Sequence, residues 1–305
     1  MDSLSKPREG SRARRHVARR VVFGAIGAVV LMLLLAVVVS MSGCCEQYFY
    51  YPTADVYSTP LEYDLAFDAV EFPSKDGTRL TGWFIPAVGK AKGTIIHCHG
   101  NAENMTSHWQ FAKFLPGRGL NLFVFDYRGY GKSEGRPTRR GTVDDAQGAA
   151  DYVCRRSGVD ADRVGIFGQS LGGSIATVVA ARDKRIKGVV IDSAFSSYQG
   201  EAAHQLRAGS LTRPFAGLLS RLFVRSGSDA IDHVAAISPR PILIIHGAAD
   251  RVVPHEMSRA LAEKAGEPKE LWLVDGAGHL AASRDEREKF ENKVCELFER
   301  AFAKE

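Results

Sequence analysis

The sequence predicts an α/β fold, a mostly parallel sheet with helices on both faces, and three observations carry that prediction. Short continuous apolar runs recur along the chain, amphipathic segments of helical period separate them, and Gly- or Asp-containing turns mark the joins. Continuous apolar runs suit strands buried on both faces, as the inner strands of parallel sheets are. The first two β-rich runs, 69–72 and 79–85, flank Asp76-Gly77, whose glycine tolerates positive φ, and form a hairpin at an antiparallel edge. Buried strands follow at 93–98, 120–125, 163–167, 188–191, 241–245 and 270–274, with helices over 106–115, 142–156, 171–182, 255–265 and 285–303. Residues 193–240 are far more than a strand-to-helix connection needs. They are assigned to an insertion above the C-terminal strand ends, where open α/β sheets bind ligands. Within it Phe215, Leu218, Leu219, Leu222 and Phe223 share one helical face, accompanied by Arg213, Arg221 and Arg225. The insertion is expected to be a lid whose stripe either packs on the domain or meets acyl chains and lipid.

A chain of 305 residues with 45% hydrophobic and 25% charged residues suits one large globular domain. Its net charge of +5 sits in a tail: seven basic residues against Asp2 and Glu9 precede residue 21, and the remainder is neutral. Nucleic-acid binding therefore has no support. Residues 21–39 are apolar and uncharged. As a helix they reach about 28 Å, near the bilayer's hydrocarbon thickness, and they exceed the apolar core of a cleavable signal peptide. The organisation expected is a basic cytoplasmic tail (1–20), a transmembrane anchor or signal segment (21–41), a linker (42–64) and the α/β domain (65–305). Basic residues before the span direct the tail to the cytoplasm and the domain outward. Met41-Ser42-Gly43-Cys44 offers an alternative, lipidation at Cys44 in a lipoprotein-like box. Cys98, Cys154 and Cys295 are an odd number without regular spacing and predict no disulfide framework.

Gly168-Gln169-Ser170-Leu171-Gly172 fits the G-x-S-x-G nucleophile elbow, and it joins an apolar strand to a helix, the context that motif requires. The glycines suit a turn too tight for a Cβ beside the serine. A serine nucleophile needs a base, and His279 stands in a Gly-rich loop after the last strand; His255 is a less suitable second choice. The acid comes from the loop after the preceding strand, which supplies Asp250; Asp126 and Asp192, at the ends of other strands, are the alternatives, Asp192 the better of the two. Backbone N–H groups of Asn101 and Leu171 are the expected oxyanion donors. His97 and His99 resemble a metal pair, but without further ligands at metal spacing they are assigned to packing and loop hydrogen bonds.

His97-Cys98-His99-Gly100-Asn101-Ala102-Glu103-Asn104, Phe125-Asp126-Tyr127-Arg128-Gly129-Tyr130-Gly131-Lys132-Ser133, the elbow and His246-Gly247-Ala248-Ala249-Asp250 together resemble the bacterial YfhR-like proteins. They are also similar to eukaryotic membrane-anchored ABHD proteins, some of which are protein depalmitoylases. The resemblance implies an α/β-hydrolase fold behind an N-terminal anchor, with a triad of Ser170, Asp250 and His279. The long Arg-rich tail and the Cys44-Cys45 pair depart from that pattern. The expected function is a serine hydrolase acting on an acyl ester or thioester, with no cofactor and no obligate protein partner. A serine peptidase is the first alternative, and a catalytically silent binding protein on the same scaffold the second.

Overall fold

The structure is a computed structural model that describes residues 19–24, 26–27, 29–32 and 49–303. The chain divides into two units, Met1–Cys45 and Glu46–Glu305. In the first unit the described residues are helical and include exposed Val21, Phe23 and Leu31. Among the described residues no helix is long and apolar enough to cross a membrane. The rest of the predicted span, with Cys44 and Cys45, lies outside the described residues.

The second unit is built on ten strands: β1 (Tyr51–Pro52), β2 (Asp68–Pro73), β3 (Arg79–Ile85), β4 (Gly93–Cys98), β5 (Ala102–Glu103), β6 (Leu120–Phe125), β7 (Val164–Gln169), β8 (Ile186–Asp192), β9 (Ile242–Gly247) and β10 (Lys269–Val274). Eight of them form one sheet in the order β10-β9-β8-β7-β4-β6-β3-β2. The pairs among β4, β6, β7, β8, β9 and β10 are parallel, while β2–β3 and β3–β6 are antiparallel, which makes the predicted hairpin an edge. Every residue of β4, β6, β7 and β9 is buried, as strands covered on both faces must be. Alternate residues feed two cores. Ile96, Phe123 and Ile166 join the core on one face, and Ile95, Leu122 and Phe167 the core on the other.

The helices are α1 (Met105–His108), α2 (Arg139–Arg155), α3 (Leu171–Arg182), α4 (Tyr198–Ala208), α5 (Ala216–Phe223), α6 (Ala230–His233), α7 (His255–Lys264), α8 (Ala282–Asp285) and α9 (Arg287–Phe302). The continuous helix expected over 106–115 is instead α1 followed by a 3₁₀ turn, Trp109–Phe111. Trp109, Ala112 and Leu115 are buried, and their spacing of three matches the 3₁₀ rather than the α period. The segment expected as linker already packs on the domain. Tyr50 is buried, β1 pairs with β5, and Ser58 Oγ donates to the Thr106 carbonyl (2.9 Å) while accepting from Trp109 Nε1 (2.9 Å). The insertion also divides in two. Ala230, Val234 and Ile237 at its end belong to the core; α4 reaches that core through Tyr198, and α5 packs on α4.

Arg128, in the loop after β6, ties three elements together. Its guanidinium donates to Asp145 Oδ1 on α2 (2.7 Å from Nη2, 3.0 Å from Nε) and to Asp76 (2.8 Å) and Ser74 (3.0 Å) in the β2–β3 turn. Gly141 makes room for it, since a Cβ there would stand 2.6 Å from Arg128 Cδ.

Candidate active site

Strand β7 runs straight into α3, and Ser170 occupies the turn with φ 50° and ψ −118°. This is a strained backbone for a residue bearing a Cβ, held by the elements on either side. The tight approach explains the flanking glycines. A Cβ on Gly168 would lie 2.3 Å from the Gly172 carbonyl oxygen, and one on Gly172 would lie 2.0 Å from the Cys98 carbonyl oxygen.

Three side chains from separate loops meet at this turn. His279, after β10, has Nε2 3.1 Å from Ser170 Oγ and Nδ1 2.7 Å from Asp250 Oδ2, in the loop after β9. Asp250 Oδ1 accepts the backbone N–H groups of Val252 (2.8 Å) and Val253 (3.0 Å), and His246 Nε2 stands 3.2 Å from Oδ2. Burial alone would raise the Asp250 carboxyl; hydrogen bonds from His246 and His279 outweigh it and hold the group well below the usual carboxylate range. A carboxylate that stays ionised beside Nδ1 fixes the tautomer in which Nε2 faces the serine.

Asp192, the alternative acid, makes no hydrogen bond to His279 among the described residues. It is fully buried at the end of β8 and accepts Ser193 Oγ–H (2.9 Å), and Ser193 Oγ accepts the Leu280 N–H (3.3 Å). Asp192 thus braces the loop that carries His279 through Ser193, a residue with φ 53° that no sequence motif marks. Burial pushes the Asp192 carboxyl up to about 6. Between the ordinary carboxyl value and that figure the folded state holds a proton the unfolded chain has lost, so this group's contribution to stability falls as pH rises. Asp192→Asn should therefore gain stability relative to the parent between pH 4.5 and 7.5, read as the difference in Tm at about those two values. A difference that does not change with pH would refute the assignment.

The other side of the turn is a loop after β4. Tyr130 Oη–H, from the loop after β6, donates to the Asn101 carbonyl (2.8 Å), and the Tyr51 N–H reaches Asn101 Oδ1 (3.3 Å). Neither the Asn101 nor the Leu171 N–H donates to another protein group among the described residues, so both remain available to an incoming oxygen. His97 Nε2 bonds Gln169 Oε1 (2.9 Å) beside Ser170, and burial drives its imidazole down to about 3, which keeps it neutral. His99 Nδ1 bonds the Gly100 carbonyl (2.7 Å). His255 lies at the start of α7, beside Glu256 rather than Ser170. Cys98 is buried, its thiol pushed up to about 12.

Residues 93–215 match the family model described as alpha/beta hydrolase fold, and residues 202–285 match one described as serine aminopeptidase, S33. The alpha/beta hydrolase domain-containing protein WAV2 of Arabidopsis thaliana is 32% identical over 216 residues, 68% of this chain and 69% of that protein. The chain belongs to the α/β-hydrolase family. YfhR of Escherichia coli (strain K12), at 43% identity over 244 residues, covers 78% of this α/β-hydrolase chain and 81% of its own length. Among solved structures, the Pyrococcus furiosus esterase PF2001 superposes with a TM-score of 0.71 at 22% identity, over 84% of this chain and 99% of that one. At that identity the likeness is one of α/β-hydrolase fold.

Proposed function

We propose that this α/β-hydrolase is a membrane-anchored serine hydrolase that cleaves carboxylic esters or thioesters. The observation that carries the proposal is the hydrogen-bonded row Ser170–His279–Asp250, with spacings of 3.1 and 2.7 Å, on a strained elbow. In the first step Ser170 Oγ attacks the acyl carbonyl carbon while His279 Nε2 takes the hydroxyl proton. Negative charge gathers on the carbonyl oxygen, facing the N–H groups of Asn101 and Leu171 at the N-terminus of α3. The tetrahedral intermediate collapses, and the leaving alcohol or thiol departs with the proton from His279. Water, deprotonated by His279 in turn, then hydrolyses the acyl-enzyme and returns Ser170 to its starting state. The match of residues 202–285 to a serine aminopeptidase model favours peptide bonds as a second reading, with the same attack and a leaving amine.

The anchor belongs to the same proposal. Its support is the apolar run 21–39 behind seven basic residues, which sets the domain outside the cytoplasm; lipidation at Cys44 is the alternative form of tether. A membrane-impermeant fluorophosphonate applied to right-side-out vesicles from expressing cells tests chemistry and orientation together. Covalent labelling of Ser170 without lysis is the expected outcome. Labelling only after lysis would reverse the orientation, and none in either condition would remove the nucleophile. The mass of the labelled chain separates an intact anchor from processing at Cys44. A panel of esters, thioesters and peptides then separates the two substrate classes.

A further inference from the structure

We infer that α4, α5 and the turn between them form a docking surface for an anionic lipid bilayer. Residues 202–228 contain Arg207, Arg213, Arg221 and Arg225 and no aspartate or glutamate, in a chain with 35 acidic residues. All four arginines are exposed, and none forms an ion pair among the described residues. Between them three large apolar side chains stand in solvent: Leu211 at 88% exposure, Phe215 at 56% and Leu218 at 59%.

The two sides of α5 differ. Ala216 and Ser220 are its buried positions and its neighbour is α4, so the helix rests on α4 by small residues and leaves Phe215, Leu218 and Arg221 exposed. The expected apolar stripe is therefore split. Leu219, Leu222 and Phe223 are half-buried, while Phe215 and Leu218 are exposed. A helix that keeps small residues inward and presents apolar side chains ringed by arginine outward has the character of an interfacial helix, apolar atoms entering the acyl boundary and guanidinium groups meeting phosphates. A purely polyanionic partner would use the four arginines but leave the three apolar side chains unsatisfied.

The surface also connects to the site. On α4, His204 Nε2 lies 3.1 Å from the Arg251 carbonyl oxygen and Gln205 Nε2 donates to the Val252 carbonyl (3.2 Å), both in the loop of Asp250. Docking would hold the triad against the plane in which lipid-borne acyl groups lie. The docking itself does not depend on the proposed chemistry, and the two fail separately.

The test uses the full chain with Phe215→Trp, reconstituted with vesicles of phosphatidylcholine containing a third phosphatidylglycerol and brominated acyl chains. Trp83, Trp109 and Trp272 are buried and supply a steady background. The emission added by Phe215→Trp should shift to the blue and fall by about half in these vesicles. It should recover in pure phosphatidylcholine, or when Arg207→Gln, Arg213→Gln and Arg221→Gln are combined. No quenching in anionic vesicles overturns the inference, as does quenching indifferent to lipid charge and to the arginines. A response to heparin or to an acidic peptide in place of vesicles would assign the surface to a polyanion and overturn it equally. Fluorophosphonate labelling of Phe215→Trp reports the fold, and its absence in a protein that still docks would count against the hydrolase alone.

Discussion

Ser170→Ala, with the fold retained, should lose on the order of 10⁴-fold or more in kcat/KM toward any acyl substrate the protein hydrolyses. The loss is large because covalent attack has no substitute: among the described residues no other hydroxyl bonds His279 Nε2. Adding His279→Ala should cost little further, since a base without its nucleophile performs no step and the residues act as one unit. Steady-state kinetics of the two single variants and the double variant, with circular dichroism to verify folding, make the measurement. A Ser170→Ala protein that keeps a tenth of the parent rate would end the triad assignment. So would losses that multiply across the two sites, which belong to independent contributions.

Arg128→Ala should destabilise the domain by about 3–5 kcal/mol, because it strands the Asp145 carboxylate in the interior without its partner. At roughly 2–4 °C per kcal/mol for a domain of this size, Tm should fall by on the order of 10 °C. The carboxyl of Asp145 is already pushed up by burial, even with Arg128 donating to it, which shows how poorly the site accepts a lone negative charge. The same arginine holds the Asp76 carboxyl far below its ordinary range through a direct hydrogen bond, so the variant also releases the hairpin turn. Combining Arg128→Met with Asp145→Leu should cost less than the sum of the single changes, since no charge is then left unpaired. Thermal unfolding monitored by circular dichroism decides the matter. A shift of Tm under about 2 °C for Arg128→Ala would show that the network contributes little.

The regions of the molecule legible in the sequence are those fixed by local constraint. The elbow is legible because a strand, a glycine-flanked serine and a helix must follow one another without a linker, and each leaves its own pattern in the chain. Asp250 and His279 are legible for a similar reason, since they end successive strands of one parallel sheet and the order of strands fixes the order of loops. The bracing of His279 through Asp192 and Ser193 is not legible. It depends on two loops 87 residues apart in the chain meeting at Leu280. The face that α5 presents is also hidden, because five apolar residues at helical spacing do not state which of them the domain will cover. Ala216 and Ser220 decide it by being small enough for close contact, a property of the surface they meet. The 3₁₀ turn at Trp109 escapes the helical reading because its period of three lies close to 3.6 over so short a span.

The 2.0 Å that a Cβ on Gly172 would leave to the Cys98 carbonyl oxygen has a mechanical consequence. It means that the start of α3 and the end of β4 are in backbone contact, with no side chain between them to be exchanged. Ser170 and the loop of Asn101 therefore form a single mechanical unit: a substitution that moved one relative to the other would first have to pry a central helix away from a central strand. The insertion meets the domain differently: α4 joins it through side chains, Tyr198 in the core and His204 and Gln205 on the loop of Asp250, and side chains can be exchanged without parting that helix from that strand.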